Sequence, residues 1–169
     1  MVVMGVTGSG KTTIGEALAR TIRATYVDGD QLYPLANIAK MSAGIPLDDA
    51  DRWPWLAKVG ETLRQQPAPV IVGCSALKRA YRDFITERAG APVLFIYLDG
   101  SRELISQRMH ERTGHFMPTS LLDSQFATLE VPNEDENAIA VAIDAPLEEI
   151  VAKIEAKFGD GASIPTKSH

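Results

Sequence analysis

The stretch Gly5-Val6-Thr7-Gly8-Ser9-Gly10-Lys11-Thr12 matches the pattern G-x-x-x-x-G-K-[ST] in full. It follows the β-rich run Val2-Val3-Met4 and opens Thr12 to Ile22, a stretch of good helix formers such as Glu16, Ala17, Leu18, Ala19 and Arg20. Strand, glycine-rich turn and helix therefore succeed one another as a phosphate-binding loop requires. Gly5, Gly8 and Gly10 let the backbone curl, so that N–H groups from Val6 through Thr13 point at phosphate oxygens. The helix N-terminus behind them adds partial positive charge. Lys11 is expected to reach the β- and γ-phosphates and the Thr12 hydroxyl to ligate Mg²⁺. The spacing predicts a nucleoside triphosphate site.

Outward from this loop, apolar runs and helix-like stretches alternate. Strand candidates are Val2 to Met4, Ala24 to Val27, Val70 to Val72, Val93 to Leu98 and Ala138 to Ile143. Helices are expected over Thr12 to Ile22, Gln31 to Met41, Asp48 to Gln66, Tyr81 to Ala89, Arg102 to Arg112 and Leu147 to Phe158. The strands lack the alternation of a half-exposed sheet, which predicts an α/β fold of the phosphate-loop NTPase type. Its five-stranded parallel sheet would be covered by helices on both faces. Residues 1–158 read as a single kinase domain with a mobile lid around 113–128, and 159–169 as a flexible tail.

Composition excludes other classes. With 169 residues, 45% hydrophobic and 23% charged, the chain fits one globular domain. Its longest apolar runs, Val93 to Leu98 and Ala138 to Ile143, are six residues, against about twenty for a membrane span. A net charge of −5 without a basic run argues against nucleic-acid binding. One cysteine and no secretory signal fit a cytoplasmic setting. GTPase signals such as Asn-Lys-x-Asp are missing.

The usual metal-side aspartate is absent where Val70-Ile71-Val72 runs into Gly73-Cys74; the nearest substitute is Asp28, which closes the Tyr26-Val27 strand. Asp28 and Asp30 could divide duties, one holding Mg²⁺ and the other accepting a proton from an attacking hydroxyl. An Asx turn with a helix N-cap would use the same residues. Arg52, Lys78, Arg79 and Arg82 are the basic candidates for the other half of a cleft, each equally readable as a solvated surface charge. Arg108 and Arg112 end a helix that runs into Thr113-Gly114-His115-Phe116-Met117-Pro118, a segment suited to closing over a site and excluding water. Cys74 reads as a buried strand residue, and Trp53 and Trp55 as packing around Pro54.

Together these residues resemble the gluconate kinase (gluconokinase) family, small sugar-acid kinases similar in fold to shikimate kinase. The resemblance runs from the phosphate loop to about Ile154. It rests on Asp28-Gly29-Asp30 with Pro34, Asn37 to Ser42, Gly44 to Leu47, Asp51 to Leu56, Cys74 to Arg79 with Tyr81 to Asp83, Gly114 to Met117, and Ser124 to Phe126 with Leu129-Glu130. Tyr33 departs from the histidine more often found before the proline, and the chain begins almost on its first strand, so that an N-terminal extension of some relatives is expected to be either missing or truncated.

The resemblance implies ATP-dependent phosphorylation of D-gluconate to 6-phosphogluconate, commonly by a homodimer. In that reading Lys11 and Asp30 are catalytic, and Thr12 and Asp28 organise Mg²⁺. Asp30, Arg52, Lys78 and Arg82 meet gluconate, with His115 arriving from the lid. Arg108 or Arg112 would touch adenine or the transferred phosphoryl group. Alternatives on the same scaffold are a kinase for another small hydroxy acid such as shikimate, or a nucleotide-dependent switch without transfer.

Overall fold

β1 (Val2–Met4) lies at the centre of a five-stranded sheet of order β2-β3-β1-β4-β5, in which every neighbouring pair is parallel. The computed structural model describes residues 1–113 and 119–159. Along the chain follow α1 (Lys11–Ile22), β2 (Thr25–Asp28), a 3₁₀ turn (Gly29–Leu32), α2 (Leu35–Ser42), α3 (Asp49–Gln65) and β3 (Val70–Gly73). The second half comprises α4 (Arg79–Ala89), β4 (Phe95–Asp99), α5 (Arg102–Thr113), α6 (Thr119–Thr128), β5 (Ala138–Ala142) and α7 (Leu147–Gly159). This is the expected α/β architecture.

Alternation within each strand shows why the sheet is covered on both sides. Val3, Ile71, Ile96 and Leu98 enter one core with Ile14 and Leu18 of α1, Ile105 of α5 and Ile150 and Ile154 of α7. Val2, Met4, Val70, Val72, Phe95 and Tyr97 enter the other, with Leu56 and Val59 of α3 and Tyr81 and Ile85 of α4. The chain builds β2 and β3 to one side of β1 and β4 and β5 to the other. The crevice beyond the carboxyl ends of these strands is thus a topological switch point, where open α/β sheets bind ligands. Among the described residues no helix is long and apolar enough to cross a membrane.

One expected element differs. The helix foreseen over Gln31 to Met41 is split: Tyr33 is extended (φ −60°, ψ 131°) and Pro34 caps α2 from outside instead of sitting in a first turn. A proline disfavours helical backbone in the residue before it, which forces the break at Tyr33. Part of the segment expected as a lid, 113–128, is the helix α6; residues 114–118, including His115, and the tail 160–169 lie outside the described residues. α3 begins as its acidic start suggested, with a capping box: Asp48 Oδ1 accepts from the Asp51 amide (2.8 Å) and Asp51 Oδ2 from the Asp48 amide (3.0 Å).

Arg82 requires a correction. Instead of facing a substrate, its side chain is 1% exposed and its guanidinium pairs with Glu136, Nε to Oε1 at 2.7 Å and Nη2 to Oε2 at 3.1 Å. Its Nη1 donates to the carbonyls of Ala76 (2.9 Å) and Leu77 (3.2 Å), so Arg82 fastens the segment leading to Lys78 from behind. Ala76 has a positive φ of 45°, a strained conformation for a residue with a Cβ, and needs such a support. The Arg82 guanidinium holds the Glu136 carboxyl below its ordinary range. The contribution of this pair to stability is therefore present above the unfolded-state pKa of glutamate and is lost as the pH falls through the lower folded-state value. Arg82→Met should destabilise by about 3 kcal/mol by stranding a buried carboxylate. That corresponds to a fall in Tm of roughly 10 °C, read by calorimetry at neutral pH, and the deficit should shrink on acidification.

Candidate active site

The phosphate loop turns between β1 and α1 on two left-handed glycines, Gly8 (φ 81°) and Gly10 (φ 95°), the latter being the N-cap of α1. Residues 11–13 form the first turn, so their amides have no helical acceptor and face the crevice end. Lys11 Nζ donates to the carbonyls of Gly5 and Val6, both at 3.0 Å, and so lies across the curl of the loop. Burial lowers the Lys11 pKa, with the Asp30 and Asp28 carboxylates working against that fall. The Thr7 amide is already engaged by Gln125 Oε1 of α6 at 2.6 Å. Gln125 had no assigned role in the sequence, because nothing in its spacing reveals that α6 folds back onto the loop.

Asp28 ends β2 opposite Gly73 in the register, and Asp30 follows two residues on in the 3₁₀ turn. The turn-and-cap reading of this pair is seen directly. Asp28 Oδ1 accepts from the Asp30 amide (2.9 Å) and caps the 3₁₀ turn, which fixes the second carboxylate at the sheet edge. Asp30 stays open to the crevice, yet packing strips enough water from it to push its pKa up; Asp28 adds repulsion and Lys11 opposes. Cys74, directly beyond β3, is buried, and burial pushes its thiol up to about 12, so it is a neutral wall of the site.

Facing the pair, Arg52 and Lys78 converge on one carboxylate the sequence did not single out, Asp49. Arg52 Nη1 lies 3.4 Å and Lys78 Nζ 3.6 Å from it, and the Tyr81 hydroxyl donates to it in a short hydrogen bond. The hydrogen bond from Tyr81, followed by the charges of Lys78 and Arg52, holds Asp49 below its usual range. Tyr33 stacks on Trp55 with ring centroids 4.4 Å apart, and Trp55 Nε1 donates to the Gly29 carbonyl at 2.8 Å. Burial raises the Tyr33 pKa, Asp30 reinforces this and Arg52 opposes it. Arg79, by contrast, points away and forks onto Asp135 at 3.1 and 2.7 Å.

Arg108 and Arg112 of α5 line a cavity of about 280 Å³ together with Gly8, Ser9, Gly10 and Thr13. Met109, Ala145, Leu147 and Ile150 supply its apolar wall. The structure thus gathers the loop and both α5 arginines at one cavity, and brings Arg52 and Lys78 together on Asp49. His115 lies outside the described residues.

Residues 1–132 match the AAA domain family. The gluconokinase of Gluconobacter oxydans is 45% identical over 164 residues, covering 93% of this chain and 92% of that protein. The chain belongs to the gluconokinase family. A crystal structure of a gluconokinase from Sinorhizobium meliloti 1021 superposes on this family member with a TM-score of 0.86 at 50% identity, covering 95% of this chain and 91% of that one. The shikimate kinase of Aquifex aeolicus, at 18% identity and a TM-score of 0.57, shares the fold alone.

Because Asp28 is the charged group that adds to burial in raising the Asp30 pKa, Asp28→Asn should move the Asp30 titration to lower pH. Carboxyl-detected NMR of the two proteins reads this directly. An unchanged or raised Asp30 titration in the variant would contradict the electrostatics described here.

Proposed function

We propose that this chain transfers the γ-phosphoryl group of ATP to D-gluconate, giving 6-phosphogluconate. The observation that carries the proposal is the meeting, at one sheet edge, of a phosphate loop, an accessible carboxylate with a raised pKa (Asp30) and a pair of cations (Arg52 and Lys78), in a chain of the gluconokinase family. A hydroxy acid needs those three things: a donor cradle, a proton acceptor and a partner for its own carboxylate. The shikimate alternative has the fold in its favour and nothing more.

Phosphoryl transfer asks a protein mainly for alignment and charge neutralisation. The loop amides and Lys11 hold the triphosphate, and Arg108 and Arg112 flank the nucleoside in the cavity they line. Asp30 orients the primary hydroxyl of gluconate and takes its proton as the oxygen bonds to the γ-phosphorus and the bond to the bridging oxygen of ADP breaks. Arg52 and Lys78 receive the substrate carboxylate, for which Asp49 holds the place between them. Residues 1–158 act as a single kinase domain, whose crevice must keep water from accepting the phosphoryl group.

Magnesium fits the oxygens available. Thr12 is exposed at the crevice and Asp28 ends the neighbouring strand. Among the described residues no cluster of three or more His, Cys, Asp or Glu side chains could hold a metal by itself. A hydroxyl and a carboxylate suit a hard cation that arrives with phosphates and keeps several waters. When bound, it neutralises charge on the β- and γ-phosphates. A cytoplasmic homodimer completes the proposal; Leu35, Ile38, Met41 and Ile45 of the α2 region leave apolar surface exposed for a second copy.

In a coupled assay of ADP release, gluconate should be the preferred acceptor in a panel of sugar acids, polyols and shikimate. Asp30→Ala should cut kcat at least about a hundredfold, and Lys11→Ala should abolish transfer. Near-native turnover in either variant removes that residue from its role, and tight ATP binding without ADP release for any acceptor would leave a nucleotide-dependent switch as the better reading.

A further inference from the structure

Tyr26 of β2 has a hydroxyl the mechanism has not used. Its ring passes between α1 and the end of β3 through a slot made by two glycines: a Cβ on Gly15 would lie 2.4 Å from the ring Cε2, and one on Gly73 would lie 2.2 Å from the hydroxyl oxygen. A glycine inside a helix weakens it. Gly15 is tolerated in α1 because the ring needs the space. The slot delivers Tyr26 Oη to a place where it is buried and has no hydrogen-bond partner among the described residues. A buried hydroxyl without a partner is unfavourable, and a side chain needed only for packing would serve as well without it.

What surrounds that oxygen is specific. The Thr12 hydroxyl faces it without closing into hydrogen-bond geometry, and Asp28, two residues along the same strand, shares its face. Burial raises the Tyr26 pKa, the Thr12 hydroxyl beside it counters the rise, and Asp28, Glu16 and Asp30 reinforce it. A phenolic hydroxyl can serve there as a donor and an acceptor at once. It also occupies the space in front of Gly73, at the strand end where the metal-side aspartate of a phosphate-loop enzyme is otherwise carried. Gly73 stands opposite Asp28 in the sheet register, and Thr12, the other group suited to magnesium, also acts on the hydroxyl.

We propose that the Tyr26 hydroxyl is a positioning group for the magnesium side of the nucleotide site: it accepts the Thr12 hydroxyl proton, turns the Thr12 oxygen toward the cation, and directs its own proton to the Asp28 side. A hydroxyl that ligates a cation through oxygen must send its proton elsewhere, and groups that fix a ligand in this way tune affinity without touching the metal. The inference rests on the nucleotide-binding reading and is independent of which acceptor is phosphorylated.

The test is Tyr26→Phe, which keeps the ring in its slot. ADP binding is followed by calorimetry over a range of free Mg²⁺ and again in EDTA, with no acceptor present. The expected result is an Mg²⁺ dependence displaced about tenfold to higher concentration, with ADP affinity in EDTA unchanged and an unliganded Tm equal to or above the wild type. In a Thr12→Val background the same change should have no further effect, since its path runs through Thr12. An unmoved Mg²⁺ dependence, an equal loss of ADP affinity with and without Mg²⁺, or an additive effect in the Thr12→Val background overturns the proposal. If the wild-type chain itself fails to bind ADP, the nucleotide reading falls, a result plainly different from those three.

Discussion

A Cβ on Gly29 would lie 2.2 Å from the carbonyl oxygen of Gly73, and the organisation of the site follows from this close approach of two backbones. Gly29 separates Asp28 from Asp30; because it lies flush against the end of β3, the chain turns at once into a 3₁₀ turn instead of running on past the sheet edge. Trp55 Nε1 bonds the Gly29 carbonyl at 2.8 Å and locks the turn from the α3 side. The result is two carboxylates displayed at the carboxyl edge of the sheet, near the amides that begin α1. A side chain at position 29 would push β2 from β3 and spread the pair from the loop it serves.

Around that fixed edge the charges are arranged as opposed sets. Lys11 offsets the two aspartates on one side; across the crevice Asp49 neutralises Arg52 and Lys78 and is itself held by Tyr81. Asp49 is the counter-charge that lets two cations stand close together without a bound anion, at the modest strength of partly exposed pairs. A substrate carboxylate can compete for such partners, whereas it could not compete for Arg82, whose fork onto Glu136 is sealed from water.

The fold was readable because it depends on local signals: apolar strands without alternation, a glycine-rich turn before a helix, and an acidic start for α3. The phosphate loop and the Asp28–Asp30 pair were readable for the same reason, since each is contiguous in sequence. What escaped depends on tertiary contact. Lys78, Arg79 and Arg82 cluster within five positions of one helix start, yet one faces Asp49, one forks outward onto Asp135 and one is buried on Glu136. About 100° of rotation per helical residue separates these outcomes, and only the position of α4 against the sheet decides which rotation meets the crevice. The break at Tyr33 was within reach, because the constraint that Pro34 imposes on its predecessor is local.

The contacts of the phosphate loop reach the opposite end of the chain. Met109 of α5 lies against Gly8, where an added Cβ would come within 2.4 Å of its sulfur, and Gln125 of α6 holds the Thr7 amide. The two helices that flank residues 114–118 therefore both rest on the loop that cradles the phosphates. The Arg79 amide in turn donates to Glu130 Oε1 (3.1 Å), and the Glu130 amide to the Leu77 carbonyl (2.8 Å), just beyond the end of α6. One helix thus touches the donor loop through Gln125 while the segment that follows it pairs with the strand-to-helix connection bearing Lys78. The phosphate loop and the connection bearing Lys78 are thus joined by hydrogen bonds through α6 and the segment after it, a more direct route than the sheet, whose parallel strands are fixed on both faces.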